Sequence, residues 1–248
     1  MNRAVIWHDL ECGGYEQDLP LWRELAAAHA PPPAGRVLDI GAGTGRVALT
    51  LAQAGHNVVA LDLDADLLAA LRERAARDAL NVTTLQGDAR KLDIDGERFS
   101  LCAVPMQTIQ LFGGEAARRE FIQAAGDHLT EQGVLAIAIA ATKDFEEFQW
   151  HDGDPFPLPD ILERDGVVYC SQPTAVRREG TRFVLERRRE VIDAAGGRDQ
   201  SQDVIALDTV TASAIEEAGQ RAGLTPLGVR RIAPTTEHIG SEVVLLGR

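Results

Sequence analysis

The chain is poor in cysteine and has no long apolar segment, and these two features restrict the classes of protein to which it can belong. Its three cysteines, Cys12, Cys102 and Cys170, are odd in number and widely spaced, which indicates neither a disulfide framework nor a zinc site. No apolar run approaches the roughly 20 residues that a membrane-spanning helix needs. The first residues, MNRAVIWHDLECGGYEQDLP, lack the apolar centre of a secretory leader. We therefore expect a cytoplasmic protein with no membrane partner.

Basic residues are also scarce relative to acidic ones. The chain has 25 Lys and Arg against 38 Asp and Glu, a net charge of −13, and no Lys/Arg-rich helix or patch. This charge repels phosphate backbones, so no nucleic-acid partner is expected. The six histidines lack the spacing of metal ligands, so no metal site is expected either. His8 and His151 lie in segments expected to face a pocket, but the sequence assigns no catalytic base.

Between residues 36 and 141, short apolar runs alternate with segments of helical periodicity. The runs RVLDIG, NVVALDL, NVTTLQ, FSLCAV and GVLAIAIA have the continuous apolar character of strands buried on both faces. Gly55 and Gly133 stand where intervening helices are expected to stop. The alternation predicts an α/β fold with a doubly wound, mostly parallel sheet and helices on both faces.

Residues 143–208 have a different pattern. They begin with the proline-rich segment FQWHDGDPFPLPD and continue as three predicted antiparallel strands. About 65 residues of mostly charged strand bury too little apolar surface for an independent domain. We therefore predict one domain over residues 1–248, in which 143–208 is an insertion. Its other parts are an N-terminal segment (1–35), a cofactor-binding core (36–142) and a closing helix with two strands (209–248).

The most informative segment is RVLDIGAGTGRVALTLAQAGHNVVALDLD, Arg36 to Asp64. Gly41, Gly43 and Gly45 lie between a predicted strand and a predicted helix. Glycines there let backbone amides and the helix N-terminus approach a ligand closely. Asp62 ends the next strand, 21 residues after Gly41, where a carboxylate can accept hydrogen bonds from both ribose hydroxyls. The segment therefore predicts a nucleoside-bearing cofactor.

Two residues of this segment distinguish between cofactors. The dinucleotide fingerprint requires a glycine at position 46, where the chain has Arg46. Asp39 lies inside the first strand, where its charge would repel a pyrophosphate but attract an ammonium group such as that of a methionine moiety. An NAD-dependent oxidoreductase is therefore disfavoured.

In the order and spacing of their motifs, residues 36–141 resemble the class I S-adenosylmethionine (SAM)-dependent methyltransferases. VLDIGAGTGR resembles the glycine loop, VVALDLD the ribose-binding strand, and LQGDARKL the motif beside the adenine. FSLCAVPMQTIQLF resembles the fourth strand and its acceptor-side loop, although Ser100 stands where the family commonly has Asp. The resemblance implies SAM as cofactor and a seven-stranded sheet whose last strand is antiparallel.

The resemblance also implies which residues bind the cofactor. Asp39 would orient the methionine amino group, Asp62 would hold the ribose hydroxyls, and Asp88 would accept from the adenine amine. Pro105 and Met106 would flank the transferable methyl group. The full implied set is Tyr15, Asp39, Gly41, Ala42, Gly43, Asp62, Leu63, Asp88, Ala89, Pro105 and Met106.

The N-terminal stretch IWHDLECGGYEQDLPLWRELA resembles the lid of small-molecule methyltransferases related to glycine and amino-sugar N-methylating enzymes. Tyr15 would close over the cofactor, whereas Trp22 is either a lid or a core residue. The antiparallel insertion would roof the acceptor pocket, and its arginines either face solvent or present cations to an acidic acceptor. These features imply methyl transfer to a small molecule, through an amine nitrogen. A small-molecule O-methyltransferase and a non-enzymatic SAM sensor are the alternatives.

Overall fold

The structure is a computed structural model that describes residues 2–140, 143, 145, 157–235 and 238–248. In the described residues its α-helices are α1 (Arg3–Cys12), α2 (Leu19–His29), α3 (Arg46–Gln53), α4 (Ala65–Arg77), α5 (Glu115–Asp127) and α6 (Ala212–Arg221). Two short 3₁₀ turns span Ala89–Lys91 and Thr108–Leu111. The strands are β1 (Arg36–Ile40), β2 (Asn57–Asp62), β3 (Val82–Gln86), β4 (Phe99–Val104), β5 (Leu129–Ile139), β6 (Asp160–Arg164), β7 (Val167–Glu179), β8 (Arg182–Ile192), β9 (Arg198–Asp208), β10 (Thr225–Ile232) and β11 (Ser241–Gly247).

A seven-stranded sheet forms the centre of the fold, in the order β10-β11-β5-β4-β1-β2-β3. The strands β1 to β5 pair in parallel, whereas β11 pairs antiparallel with both β5 and β10. This order confirms the predicted mostly parallel sheet with one antiparallel strand. It also places β1 between β2 and β4, so the segment that follows β1 starts near the middle of the sheet.

Two apolar clusters cover the two faces of this sheet, which makes the fold doubly wound. One cluster contains Trp22, Leu51 and Leu71 from α2, α3 and α4. The other contains Phe121 of α5 and Ile215 of α6. In α3 and α5, for example, the buried residues recur at helical spacing and form an apolar stripe that faces the sheet. None of the described helices has the length and apolar character that crossing a membrane requires.

The strands β6 to β9 form a second, antiparallel four-stranded sheet, and the chain enters it after β5 and leaves it for α6. Phe183 and Leu207 of this sheet pack with Phe145 and with Ala140, which follows β5. The sequence pattern does not predict β6. It is a five-residue edge strand whose residues are mostly exposed, so it lacks the apolar alternation that identifies a strand.

The prediction that a helix stops at Gly133 is wrong, because α5 ends at Asp127 and Gly133 lies within β5. A side chain at Gly133 would place its Cβ 2.8 Å from the carbonyl oxygen of Phe99 in β4. The glycine therefore permits a close approach of two backbones rather than a helix end. Gly55, in contrast, follows α3 with a φ of +91°, as a residue after a helix terminus often does.

Candidate functional site

A cavity of about 470 Å³ lies at the carboxyl ends of β1 to β4, the edge at which open parallel sheets bind ligands. The volume falls within the range of about 300–1,000 Å³ that is usual for small-molecule sites. Of the residues implied by the resemblance, those that line it are Gly41, Asp62, Leu63, Asp88, Ala89 and Met106. The structure thus brings together side chains from four separate strand ends.

A smaller cavity of about 40 Å³ adjoins the first and shares His8, Cys12, Gly41, Met106 and Thr108 with it. The remaining residues of its lining are Asp39, Ala42, Arg46, Val47 and Pro105. Three more residues of the implied set therefore lie beside the main cavity. Gly43 lines neither cavity, but its backbone holds Asp62 in place.

The loop between β1 and α3 requires glycine for two physical reasons. Gly41 and Gly43 have φ values of +71° and +55°, which are unfavourable for residues with a side chain. A Cβ at Gly41 would also lie 2.6 Å from Cγ2 of Thr108, on the segment that follows β4. Glycine therefore allows the loop after β1 and the loop after β4 to meet at the cavity.

Asp62 links the glycine loop to the segment that follows β2. One carboxylate oxygen accepts a hydrogen bond from the backbone N–H of Gly43 at 2.8 Å, and the other accepts from the N–H of Asp64 at 2.9 Å. A carboxylate has about four lone-pair positions, so two bonds leave acceptor capacity toward the cavity. The position of Asp62 at the cavity wall suits recognition of a diol.

Asp39 is a buried carboxylate with no hydrogen-bond partner among the described residues. It lies in β1 opposite Ala60 of β2 and Ala103 of β4, neither of which has a polar side chain. Burial raises the pKa of Asp39 to about 7, although the nearby charge of Arg46 and the backbone amide of Ala48, which does not reach hydrogen-bonding geometry, act in the opposite direction. An unpartnered carboxylate is expensive in such a place and fits a ligand that brings a positive charge.

His8 of α1 stands directly over the glycine loop. A Cβ at Gly43 would lie 2.2 Å from Nε2 of His8, so the ring occupies the space that a side chain there would need. The Thr44 hydroxyl donates to Asp9 at 2.7 Å and lies 3.2 Å from Nδ1 of His8. Since the hydroxyl proton is directed to Asp9, Nδ1 donates to Thr44 and Nε2 is left as an acceptor. Burial lowers the pKa of His8, which favours the neutral ring.

The position of α1 is fixed on one side by an ion pair with α4. Arg74 donates to the two carboxylate oxygens of Asp9 at 3.0 and 2.5 Å, and also to the carbonyl of Thr44 at 3.3 Å. Burial opposes ionisation of Asp9, but the bonds from Arg74 and Thr44 prevail and lower its pKa. Asp9 is thus ionised at neutral pH and holds α1 over the glycine loop.

On its other side, α1 is bound to the four-stranded sheet through Glu11. Its carboxylate accepts from Nε and Nη2 of Arg189 at 2.7 and 2.6 Å, and from the hydroxyl of Ser171 at 2.7 Å. Arg189 also pairs with Asp203 at 2.8 Å. Burial alone would raise the pKa of Glu11, but these hydrogen bonds outweigh it, so the pKa is lowered. The sequence offered no signal for this pair, because its members are 178 residues apart.

The four-stranded sheet forms one wall of the main cavity. Leu185 and Arg187 of β8 and Ile205 and Leu207 of β9 line it. Because side chains alternate along a strand, Arg187 points inward with 15% of its side chain exposed, whereas Arg188 is exposed. The structure therefore divides the arginines of this sheet between the two faces.

Two aromatic residues of the N-terminal segment lie outside the cavity walls. Tyr15 is buried, with its ring centroid 5.1 Å from that of His238 and the guanidinium of Arg46 5.2 Å above it. Trp22 is fully buried and donates from Nε1 to Asp18 at 2.8 Å, so it is a core residue. The cofactor contact expected of Tyr15 stays a prediction. His151 lies outside the described residues.

The loop after β4 carries backbone strain at the cavity. Met106 has a φ of +54°, a conformation that a residue with a side chain seldom adopts, and it lines both cavities. Strain of this kind persists where the surroundings impose it, and it is frequent at ligand sites. The sequence placed Met106 at the site but gave no sign of its conformation.

The geometry agrees with the comparisons to known proteins. Residues 37–133 match a family described as a methyltransferase domain. The cypemycin N-terminal methyltransferase of a Streptomyces species is 31% identical over 147 residues, which are 59% of this chain and 57% of that protein. The alignment thus spans little more than half the length of that relative.

Two solved structures share the architecture over nearly the whole chain. The sugar N-methyltransferase KedS8 from Streptoalloteichus sp ATCC 53650 has a TM-score of 0.75 at 19% identity, covering 98% of this chain and 92% of its own. The amino pentose methyltransferase CalS10 from Micromonospora echinaspora, solved with SAM bound, has a TM-score of 0.71 at 23% identity and covers 99% and 97%. These likenesses show a common fold.

Proposed function

We propose that the protein transfers a methyl group from SAM to the amine nitrogen of a small molecule. The premise is that residues 37–133 form a methyltransferase domain of the class I fold. The observation that carries this proposal is the composition of the 470 Å³ cavity. It joins the carboxyl ends of β1 to β4 to the inner face of β8 and β9. One cavity therefore offers a place for the cofactor and a place for an acceptor beside it.

The residues at the strand ends match the groups that SAM carries. The unpartnered Asp39 suits its ammonium group, and the remaining lone pairs of Asp62 suit its ribose hydroxyls. Leu63 is an apolar residue with 60% of its surface exposed at the cavity, which suits the face of an adenine ring. Asp88 and the backbone of Ala89 would meet the polar edge of that ring.

When bound, SAM supplies a methyl group on a positively charged sulfur, which is already a strong electrophile. The protein must therefore hold the acceptor in line and keep water out. The four-stranded sheet and α1, joined through Glu11 and Arg189, form walls of the cavity beside the strand ends. An amine acceptor must also be neutral, and the His8 ring, which lines the cavity and whose pKa is lowered by burial, is a candidate to take up its proton.

The cavity walls and the charge of the protein both favour a small acceptor over a polymer. Residues of α1 and of the four-stranded sheet narrow the access to the cavity, and a net charge of −13 repels nucleic acids. Nitrogen is favoured because the similar proteins include a sugar N-methyltransferase and an N-terminal methyltransferase. An oxygen acceptor is the alternative, and mass spectrometry of the methylated product distinguishes the two.

Calorimetric titration with S-adenosylhomocysteine, the demethylated cofactor, tests the cofactor site. Asp62→Ala removes a charged acceptor and should weaken binding by about 2–3 kcal/mol. Asp95→Ala removes an equal charge at an exposed position outside the cavity and should leave binding unchanged. Equal affinities in wild type and Asp62→Ala, or a preference of the wild type for NAD, would refute the proposal.

A further inference from the structure

We propose that the acceptor carries an anionic group, a carboxylate or a phosphate, and that Arg187 binds it. This inference rests on the proposed methyl transfer and names a chemical class for its acceptor. The main observation is the direction of the Arg187 side chain. Arg187 lies on β8 between Glu186 and Arg188, and it shares the inner face of the strand with Leu185 and Arg189. Only 15% of the Arg187 side chain is exposed, and the residue lines the main cavity.

The charge of Arg187 is incompletely matched within the described residues. It pairs with Asp160 of β6, with Nη1 and Oδ2 3.5 Å apart, and its charge also acts on Glu11 of α1 without a direct contact. Half of the Asp160 side chain is exposed, and burial of the remainder raises its pKa. A guanidinium has five N–H donors, so one long contact leaves most of them available. Arg189, two residues along, is in contrast paired closely with Glu11 and Asp203.

The other charged side chains of the cavity are already engaged. Glu11 is held by Arg189 and Ser171, and Asp88 is held by Arg90 at 2.7 Å. Asp62 lies at the strand ends and accepts two backbone hydrogen bonds. Of the described charged residues that line the wall opposite the strand ends, Arg187 is therefore the one best able to bind a charged ligand.

The surroundings of Arg187 indicate the rest of the acceptor. Leu185, Ile205 and Leu207 line the same wall, and Phe112 faces the cavity from the segment after β4. These side chains suit an apolar body, while a partly buried guanidinium binds carboxylate and phosphate oxygens in bidentate geometry. The structure thus points to an amine whose apolar framework also carries an anion.

The net negative charge of the protein does not oppose this assignment. At physiological ionic strength, charges more than about 8 Å away are largely screened, whereas a partly buried charge is screened much less. The field inside the cavity therefore depends mainly on the charges in its wall. An anion that enters meets Arg187 at close range.

The test uses three small probes with one aromatic body. Phenylacetate and phenyl phosphate are anions, and phenylacetamide is their neutral counterpart. Each is titrated into the full-length protein saturated with S-adenosylhomocysteine, and the rise in melting temperature gives an apparent Kd. We expect wild type to bind at least one anion about tenfold more tightly than the amide, as a charge-assisted hydrogen bond allows.

Two matched substitutions assign the preference to one residue. Arg187→Gln should abolish the preference for the anion, while Arg188→Gln removes the same charge from the outer face of β8 and should keep it. If Arg187→Gln does not fold, Arg187→Lys keeps the charge but not the bidentate geometry, so the preference for the anion should weaken. A preference in Arg187→Lys equal to that of wild type would then count against the proposal.

The outcomes separate this inference from the proposed function. Intact binding of S-adenosylhomocysteine with equal binding of anion and amide, or with no measurable anion binding, overturns the anion site alone. An Arg187→Gln variant with the preference of wild type overturns it as well. Failure of wild type to bind S-adenosylhomocysteine overturns the methyl transfer from which the inference starts.

Discussion

Asp39 shows how a single residue can be costly for the fold and useful for a ligand. Its carboxylate is buried in β1, and neither oxygen has a partner among the described residues. Stability alone would favour an apolar residue at this position. The contact that we propose with the methionine ammonium of SAM would account for a carboxylate at this position.

The pH dependence of stability tests this interpretation of Asp39. The folded pKa is about 7 against an ordinary value of 3.8, so the folded protein binds a proton more readily than the unfolded chain between these values. The contribution of Asp39 to stability is therefore present at pH 4 and is lost as the pH rises through 7. In urea denaturation, Asp39→Asn should gain about 4 kcal/mol relative to wild type between pH 4 and pH 8. A constant difference between the two proteins over this range would contradict the account.

His8 should show the opposite dependence. Burial lowers its pKa in the folded protein, so below the ordinary value of 6.5 the unfolded chain binds more protons. Wild type should accordingly lose stability as the pH falls from 7 to 5, and His8→Asn should lose less. Denaturation midpoints at the two pH values measure this, and parallel losses in the two proteins would show that His8 is not buried as described.

At the scale of elements, α1 connects the two sheets to the site. Its residue Asp9 is paired with α4 and its residue Glu11 with β8, while His8 between them covers the glycine loop. Ion pairs hold this helix on both sides, so removal of either pair should loosen the wall that it contributes. The helix therefore contributes to the shape of the cavity through His8 and Glu11, which line it.

A double-mutant cycle measures the contact between α1 and the four-stranded sheet. Glu11→Gln should lower the free energy of unfolding by about 2–3 kcal/mol, because it removes the charge from the carboxylate that accepts two hydrogen bonds from Arg189, which is then paired with Asp203 alone. Adding Arg189→Gln should cost less than the sum of the single changes. Glu179→Gln, which breaks an exposed pair with Arg177, is the control and should cost less than about 1 kcal/mol. Additive losses at Glu11 and Arg189 would mean that their contact contributes nothing.

The sequence predicted those elements whose signal is local. The central strands and β7 follow from apolar or alternating runs, and Asp62 follows from its distance to Gly41. The edge strand β6 has no such run, and Gly133 reflects contact with β4 rather than its own neighbours. The pairing of Glu11 with Arg189 depends on how two distant segments dock, which no spacing reveals.

For the whole molecule, the proposed function is methyl transfer from SAM to a small amine. The two sheets and α1 supply the walls of the cavity, and the acidic surface disfavours a nucleic-acid acceptor. The Asp62→Ala variant is the internal control, since its weakened cofactor site should reduce activity without changing the acceptor wall.

The most direct test supplies SAM labelled in its methyl group to an extract of cells that produce the protein, followed by separation into low-mass, nucleic-acid and protein fractions. We expect label in the low-mass fraction with wild type, much less label with Asp62→Ala, and a labelled product whose mass spectrum shows an N-methyl group. Label in RNA, DNA or protein, or no transfer to any fraction, would contradict it.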